Sequence, residues 1–124
     1  MDNRLFFSAT QRNRNCISFE LSSIIKKDSG SVLEIGSGSG EHGVVFQKRF
    51  PGIIWQTSDP ELVHRKSISS WIEYEELTKK MPQPLEIDVE NFLENYILIS
   101  SFFVWNSLYK YASCNIVVSY CRTF

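Results

Sequence analysis

Three glycines at alternate positions, Gly36, Gly38 and Gly40, constrain this chain more than any other feature. The five residues before them, Ser31-Val32-Leu33-Glu34-Ile35, are mostly apolar, the pattern of a short strand in a parallel sheet buried on both faces. Behind them, residues 41–49 cluster Val44, Val45 and Phe46 and run out at Pro51-Gly52, so a helix is predicted there. Glycines between a strand and a helix let the backbone turn tightly and approach a ligand without Cβ collisions. The helix start beyond them offers free N–H groups. The bland alternative is a glycine-rich turn with no ligand. It leaves the conformational cost of three glycines without a use.

The flanking segments extend the alternation. Ile17, Leu21, Ile24 and Ile25 share one helix face, and Lys26, Lys27, Asp28 and Gly30 supply basic last-turn residues and a stop. Ile53-Ile54-Trp55-Gln56-Thr57 reads as a second strand. Ser58-Asp59-Pro60 then opens a long amphipathic helix over residues 61–80, with Ile68, Trp71, Ile72 and Leu77 as its buried stripe. Pro82 and Pro84 break that helix, and Leu85-Glu86-Ile87-Asp88-Val89 reads as a third strand. Past Asn91 the periodicity weakens, with one more strand-like run at residues 115–120. Helix and strand in alternation predict an α/β fold with a Rossmann-like parallel sheet, of which three to four strands are recognisable.

Composition narrows the function classes. With 43% apolar residues, 22% charged residues and a net charge of -1, the 124-residue chain reads as one ordinary globular domain. It lacks the basic patch that nucleic acid calls for. No run reaches the roughly 18 apolar residues of a membrane span, so no membrane partner is expected. The Leu5-Phe6-Phe7 patch is too short for a secretory signal. Cys16, Cys114 and Cys121 contain no CxxC pair, which predicts reduced, buried thiols in a cytoplasmic protein. His42 and His64 have no ligand-spaced cysteine nearby, so no metal site is expected.

One break stands out within the totals. All 14 acidic residues lie at or before Glu94, and from Asn95 to Cys121 the only charge is Lys110. A stretch so poor in charge is either unusually buried or not a native continuation of the domain. The expected division is therefore a ligand-binding part over residues 1–94 and a divergent apolar tail over residues 95–124.

The letters around the glycines can be tested against phosphate loops. A Walker A loop needs Gly-Lys-Ser/Thr, and the chain has no Gly-Lys pair. A GxGxxG dinucleotide fingerprint needs glycine where Glu41 stands. Glu34, two places before the first glycine, suits an amine-bearing cationic ligand better than a pyrophosphate. Asp59, at the end of the second predicted strand, is placed either to accept hydrogen bonds from ribose hydroxyls or to cap the next helix. Asp88 ends the third predicted strand, where it either meets an adenine amino group or sits in a solvated loop.

Together these residues resemble class I S-adenosylmethionine (SAM)-dependent methyltransferases, whose first motif is an acidic residue followed by GxGxG. The resemblance implies SAM as cofactor. It assigns the amino-acid part of SAM to Gly36, Ser37, Gly38 and Gly40, the ribose to Asp59 and the adenine to Asp88, with Glu34 as the leading acid. A closer resemblance covers residues 7–90. Phe7-Ser8-Ala9 with Arg12-Asn13, Val32-Leu33-Glu34-Ile35 with Ser37-Gly38-Ser39-Gly40-Glu41-His42, and Trp55-Gln56-Thr57-Ser58-Asp59 are similar to the uncharacterised methyltransferase-like 26 family. That likeness implies that Arg12, Asn13 and His42 line the cofactor or substrate pocket, with His42 the nearest candidate base. Read alone, they are a surface basic residue, a turn residue and a first-turn helix residue.

The family pattern continues into a fourth strand with an Asn-Met-Ile-His-like segment, and nothing after residue 90 matches it. The expectation is a truncated chain: methyltransferase-like, with no identifiable acceptor and impaired catalysis, and a sheet edge open to self-association. The alternative is a non-catalytic SAM- or nucleotide-binding fragment, or a remnant acting only through protein contacts.

Overall fold

The computed structural model describes residues 1–25, 29–88 and 114–118. Along the chain run α1 (Ser8–Ile24), β1 (Gly30–Ile35), α2 (Glu41–Arg49), β2 (Ile53–Gln56), α3 (Leu62–Tyr74) and β3 (Cys114–Val118). The strands form one parallel sheet in the order β2-β1-β3. Outside β2, Leu85 adds a single parallel bridge to Ser58. The Leu85 segment, β2, β1 and β3 thus stand in the 3-2-1-4 order of a doubly wound sheet, which reverses direction between β1 and β3. The fold class is the expected α/β one, with a small and incomplete sheet.

Register explains where the core lies. Val32 pairs with Trp55, so Val32, Ile53 and Trp55 share one face of the sheet and are buried. They meet Leu21 and Ile25 from the α1 end, Val44 and Phe46 of α2, and Ile68, Trp71 and Ile72 of α3 in one cluster. Each large apolar side chain so buried contributes about 1.5–3 kcal/mol. The opposite face differs: Ile54 is 49% exposed. The expected burial of both faces therefore holds for one face among the described residues, because all three helices supply the Val32–Trp55 side.

Several expected boundaries shift for identifiable reasons. α1 begins at Ser8, well before its apolar stripe, because Thr10 and Ser18 continue the buried side in polar letters. Cys16 falls on the outer side of that helix and is exposed rather than buried. The stop foreseen at residues 26–28 lies outside the described residues. α3 ends at Tyr74, short of residue 80, because the chain turns there without a glycine. Glu76 takes a left-handed φ of 58°. The Leu77 N–H then bonds Ile72 O at 2.9 Å and the Glu76 N–H bonds Glu73 O at 3.0 Å, a Schellman closure that returns Leu77 to the core.

The third strand expected at residues 85–89 amounts to one bridge among the described residues. Leu85 makes both of its rungs, to Thr57 O and from the Asp59 N–H, at 3.0 Å each. The next rungs would use Asp59 O and the Glu61 N–H. Asp59 O is already taken by Arg65 Nη1 at 2.9 Å, and the Glu61 N–H by Asp59 Oδ1 at 2.9 Å. The strand expected at residues 115–120 is present over 115–118 within β3, and residues 119–120 lie outside the described residues.

The outer edge of β2 is capped in part by a side chain. The buried Gln47 amide accepts the Trp55 N–H at 2.9 Å and donates to Ile53 O at 2.7 Å, as a neighbouring strand would. Further along the same edge, Leu85 takes Thr57 O and the Asp59 N–H.

Candidate functional site

The glycine loop lies at the carboxyl end of β1, beside the point where the strand order reverses. Gly36, Gly38 and Gly40 adopt φ of 68°, 58° and 90°, a region that side chains disfavour. Their surroundings differ. A Cβ on Gly40 would stand 2.7 Å from the Ile68 Cα, so α3 backs directly onto the loop. A Cβ on Gly38 would meet only the ring of Phe7, at 3.4 Å. Internal packing thus requires the last glycine, while the middle one leaves bare backbone under an aromatic ring.

Three strand-end residues hold the loop. The Ser37 N–H bonds Ser58 O at 2.8 Å, the Ser58 N–H bonds Ser37 Oγ at 3.1 Å, and Ser58 Oγ donates to Glu34 O at 2.7 Å. The Gly38 N–H donates to Asp59 Oδ2 at 2.9 Å. Asp59 Oδ1 accepts the Glu61 N–H at 2.9 Å and lies 3.0 Å from His64 Nδ1. About three of the carboxylate's four acceptor positions are therefore engaged. Helix capping is not its role: the residue preceding α3 is Glu61, and no side chain caps that helix.

The remaining candidates differ in burial. Glu34 is fully buried, and its Oε2 accepts the Trp55 Nε1–H at 2.5 Å. The same oxygen lies 3.3 Å from where a Gly43 Cβ would stand, so the carboxylate is turned into the α2–β2 packing. His42 is 5% exposed and stacks on Phe46 with ring centroids 5.4 Å apart. Burial, the main cause, pushes its imidazole below the ordinary value, against a hydrogen bond to the Thr10 backbone that raises it; nearby Arg14 lowers it further. Its Nε2 has no partner. Arg12 and Asn13 in α1 are exposed, as is Asp88 after Leu85. The structure thus gathers Gly36, Ser37, Gly38, Gly40 and Asp59, sets Glu34 beneath them, and buries His42 at the α1–α2 contact.

Sequence reading missed three contributors. Phe7 sits on Gly38 and meets the His64 ring edge-on, with centroids 5.9 Å apart. His64 holds Asp59. Ser67, fully buried, donates from Oγ to Ser39 O at 2.6 Å. Only His64 left a signal, standing five residues past an acid that follows a strand.

Residues 4–116 match a family described as "Protein of unknown function (DUF938)". The chain belongs to this family. The DUF938 match runs past residue 94 and reaches into β3. Among solved structures, an O-methyltransferase family protein from Burkholderia thailandensis is similar with a TM-score of 0.54 and 21% identity, over 68% of this chain and 25% of that one. A candidate sarcosine dimethylglycine methyltransferase from Galdieria sulphuraria is similar with a TM-score of 0.51 and 14% identity, over 68% of this chain and 34% of that one. At these identities the likeness shows the fold: this DUF938 chain has the Rossmann-like architecture of methyltransferases. It spans about a quarter and about a third of the two structures' lengths. Among the described residues no helix is long and apolar enough to cross a membrane.

Proposed function

We propose that this DUF938 chain forms the SAM-holding part of a methyltransferase-like protein akin to the methyltransferase-like 26 family, working in the cytoplasm. The observation that carries this reading is the bond from the Gly38 N–H to Asp59 Oδ2. It sets the bare backbone of the loop and the acid after β2 side by side at the switch point of the sheet, where open parallel sheets take their ligands.

The residues present fit the cofactor. Gly36 and Gly38 present a surface free of Cβ atoms to its amino-acid part, Ser37 holds the loop through Ser58, and Asp59 keeps about one acceptor position for a ribose hydroxyl. Glu34 acts from below, keeping Trp55 and hence the end of β2 in place. SAM, when bound, supplies a methyl group on a sulfonium, and transfer depends chiefly on aligning an acceptor with it. His42 is held neutral and enclosed, which suits packing more than proton transfer. Arg12, Asn13 and Asp88, all exposed, serve as flanking contacts of the pocket. Cofactor binding is therefore the activity proposed for the chain, with transfer impaired and the acceptor unassigned.

Calorimetric titration with S-adenosylhomocysteine, beside Gly38→Arg and Asp59→Ala, tests this. Saturable binding lost in both variants is expected, with a melting temperature that rises with ligand concentration in the wild type. A folded wild-type chain that binds nothing overturns the proposal in favour of a fragment acting only through protein contacts.

A further inference from the structure

The segment before α1 is bound to α3 by a set of contacts that the packing of a core does not call for. The Asn3 N–H donates to Ser70 Oγ at 3.2 Å and the Leu5 N–H to Ser67 Oγ at 2.8 Å. Trp71 Nε1–H donates to Leu5 O at 3.1 Å. The Arg4 guanidinium lies 3.6 Å from the Tyr74 ring centroid, within reach of a cation–π attraction. These partners stand at i, i+3, i+4 and i+7, one stripe of α3 beside its core-facing Ile68 and Ile72. The segment ends at Phe7, whose ring covers Gly38.

Ser67 joins this segment to the loop. Its single Oγ accepts the Leu5 N–H and donates to Ser39 O, so one buried hydroxyl fixes the segment and the glycine turn relative to each other. A hydroxyl has one proton and two lone pairs, so both bonds form at once. Moving either partner costs one of them.

We propose that residues 3–7 are one wall of the ligand site. Phe7 is the side chain that a ligand on the loop meets at Gly38, and Ser67 is the positioning residue that couples docking of the segment to occupancy of the loop. The ligand class is the adenosyl amino acid proposed above, and the inference rests on that reading. A ligand seated on Gly38 touches the Phe7 ring, either flattening it against the ligand or displacing it.

The test uses the full chain with S-adenosylhomocysteine as probe. Amide hydrogen exchange at Leu5 and Asn3 is measured with and without ligand, and affinity is measured for wild type, Phe7→Ala, Ser67→Ala and Trp71→Phe. Ligand is expected to change Leu5 exchange several-fold, and Phe7→Ala to weaken binding by about tenfold, the loss of roughly 1.4 kcal/mol. Ser67→Ala should weaken binding less and abolish the exchange response at Leu5. Trp71→Phe removes the indole N–H together with the fused five-membered ring at a core position, so its melting temperature is recorded beside its affinity. It should loosen the segment and weaken binding less than Phe7→Ala. If wild type binds while Leu5 exchange does not respond and Phe7→Ala binds as tightly, this inference falls and the cofactor reading stands. If wild type does not bind, both fall.

Discussion

Gly40 and Gly38 differ by two positions in the chain and by their neighbours in space, and substitution should separate them. Gly40→Ala places a methyl 2.7 Å from the Ile68 backbone at a φ of 90°, so strain and collision add. We expect it to destabilise the chain by on the order of 3 kcal/mol, with the left-handed backbone alone accounting for roughly 1–2 kcal/mol. Gly38→Ala meets only Phe7 at 3.4 Å and should show about the backbone part. Equal losses in urea midpoints would contradict this division. His42 gives a second residue-level expectation. Its folded pKa lies below the ordinary 6.5, so under acid the unfolded chain takes up a proton that the folded chain does not. Stability is fully present above about pH 6.5 and is lost as pH falls from there toward the lowered folded value. His42→Leu should flatten the slope of stability against pH below 6.5, by up to about 1.4 kcal/mol per pH unit. An unchanged slope in pH-dependent urea titrations would show that His42 is not buried neutral.

At the scale of elements, the end of α3 is the informative case. The Schellman closure over Ile72, Glu73, Glu76 and Leu77 uses a glutamate where glycine has no Cβ penalty. Glu76→Gly should therefore stabilise the chain by about 1 kcal/mol, the reverse of what glycine does inside a helix. A fall in melting temperature would mean that Glu76 does not hold the left-handed turn. The helix period was legible in residues 61–80, but its end was not, because no stop residue marks it. The same holds for α1, whose first half is buried through Thr10 and not through apolar letters. The strand expected at residues 85–89 had good strand letters. Arg65 and the Asp59 carboxylate nevertheless take the backbone groups that its ladder needed.

At the scale of the molecule, the core and the capped part of the β2 edge bear on the behaviour of the sheet. Gln47→Leu keeps the bulk of the side chain and leaves the Trp55 N–H and Ile53 O without partners. We expect a loss on the order of 2–4 kcal/mol. We also expect concentration-dependent association, because the freed groups are a template for another strand. Sedimentation velocity checks the second part, and a variant that is destabilised yet strictly monomeric would refute the view that Gln47 guards the edge.

The sequence by itself determined the α/β class, the strand–glycine loop–helix unit from Gly30 to Arg49, and the nomination of Asp59. These are local: φ preferences, periodicity and turn residues act over a few neighbours and leave their mark in the letters. Only the tertiary structure decided what those letters touch. It turned Glu34 toward Trp55, enclosed His42 between two helices, and brought Phe7, His64 and Ser67 to the loop from more than twenty residues away. Such contacts depend on packing between segments far apart in the chain, and the alternation of apolar and polar residues does not encode which polar side chain meets which.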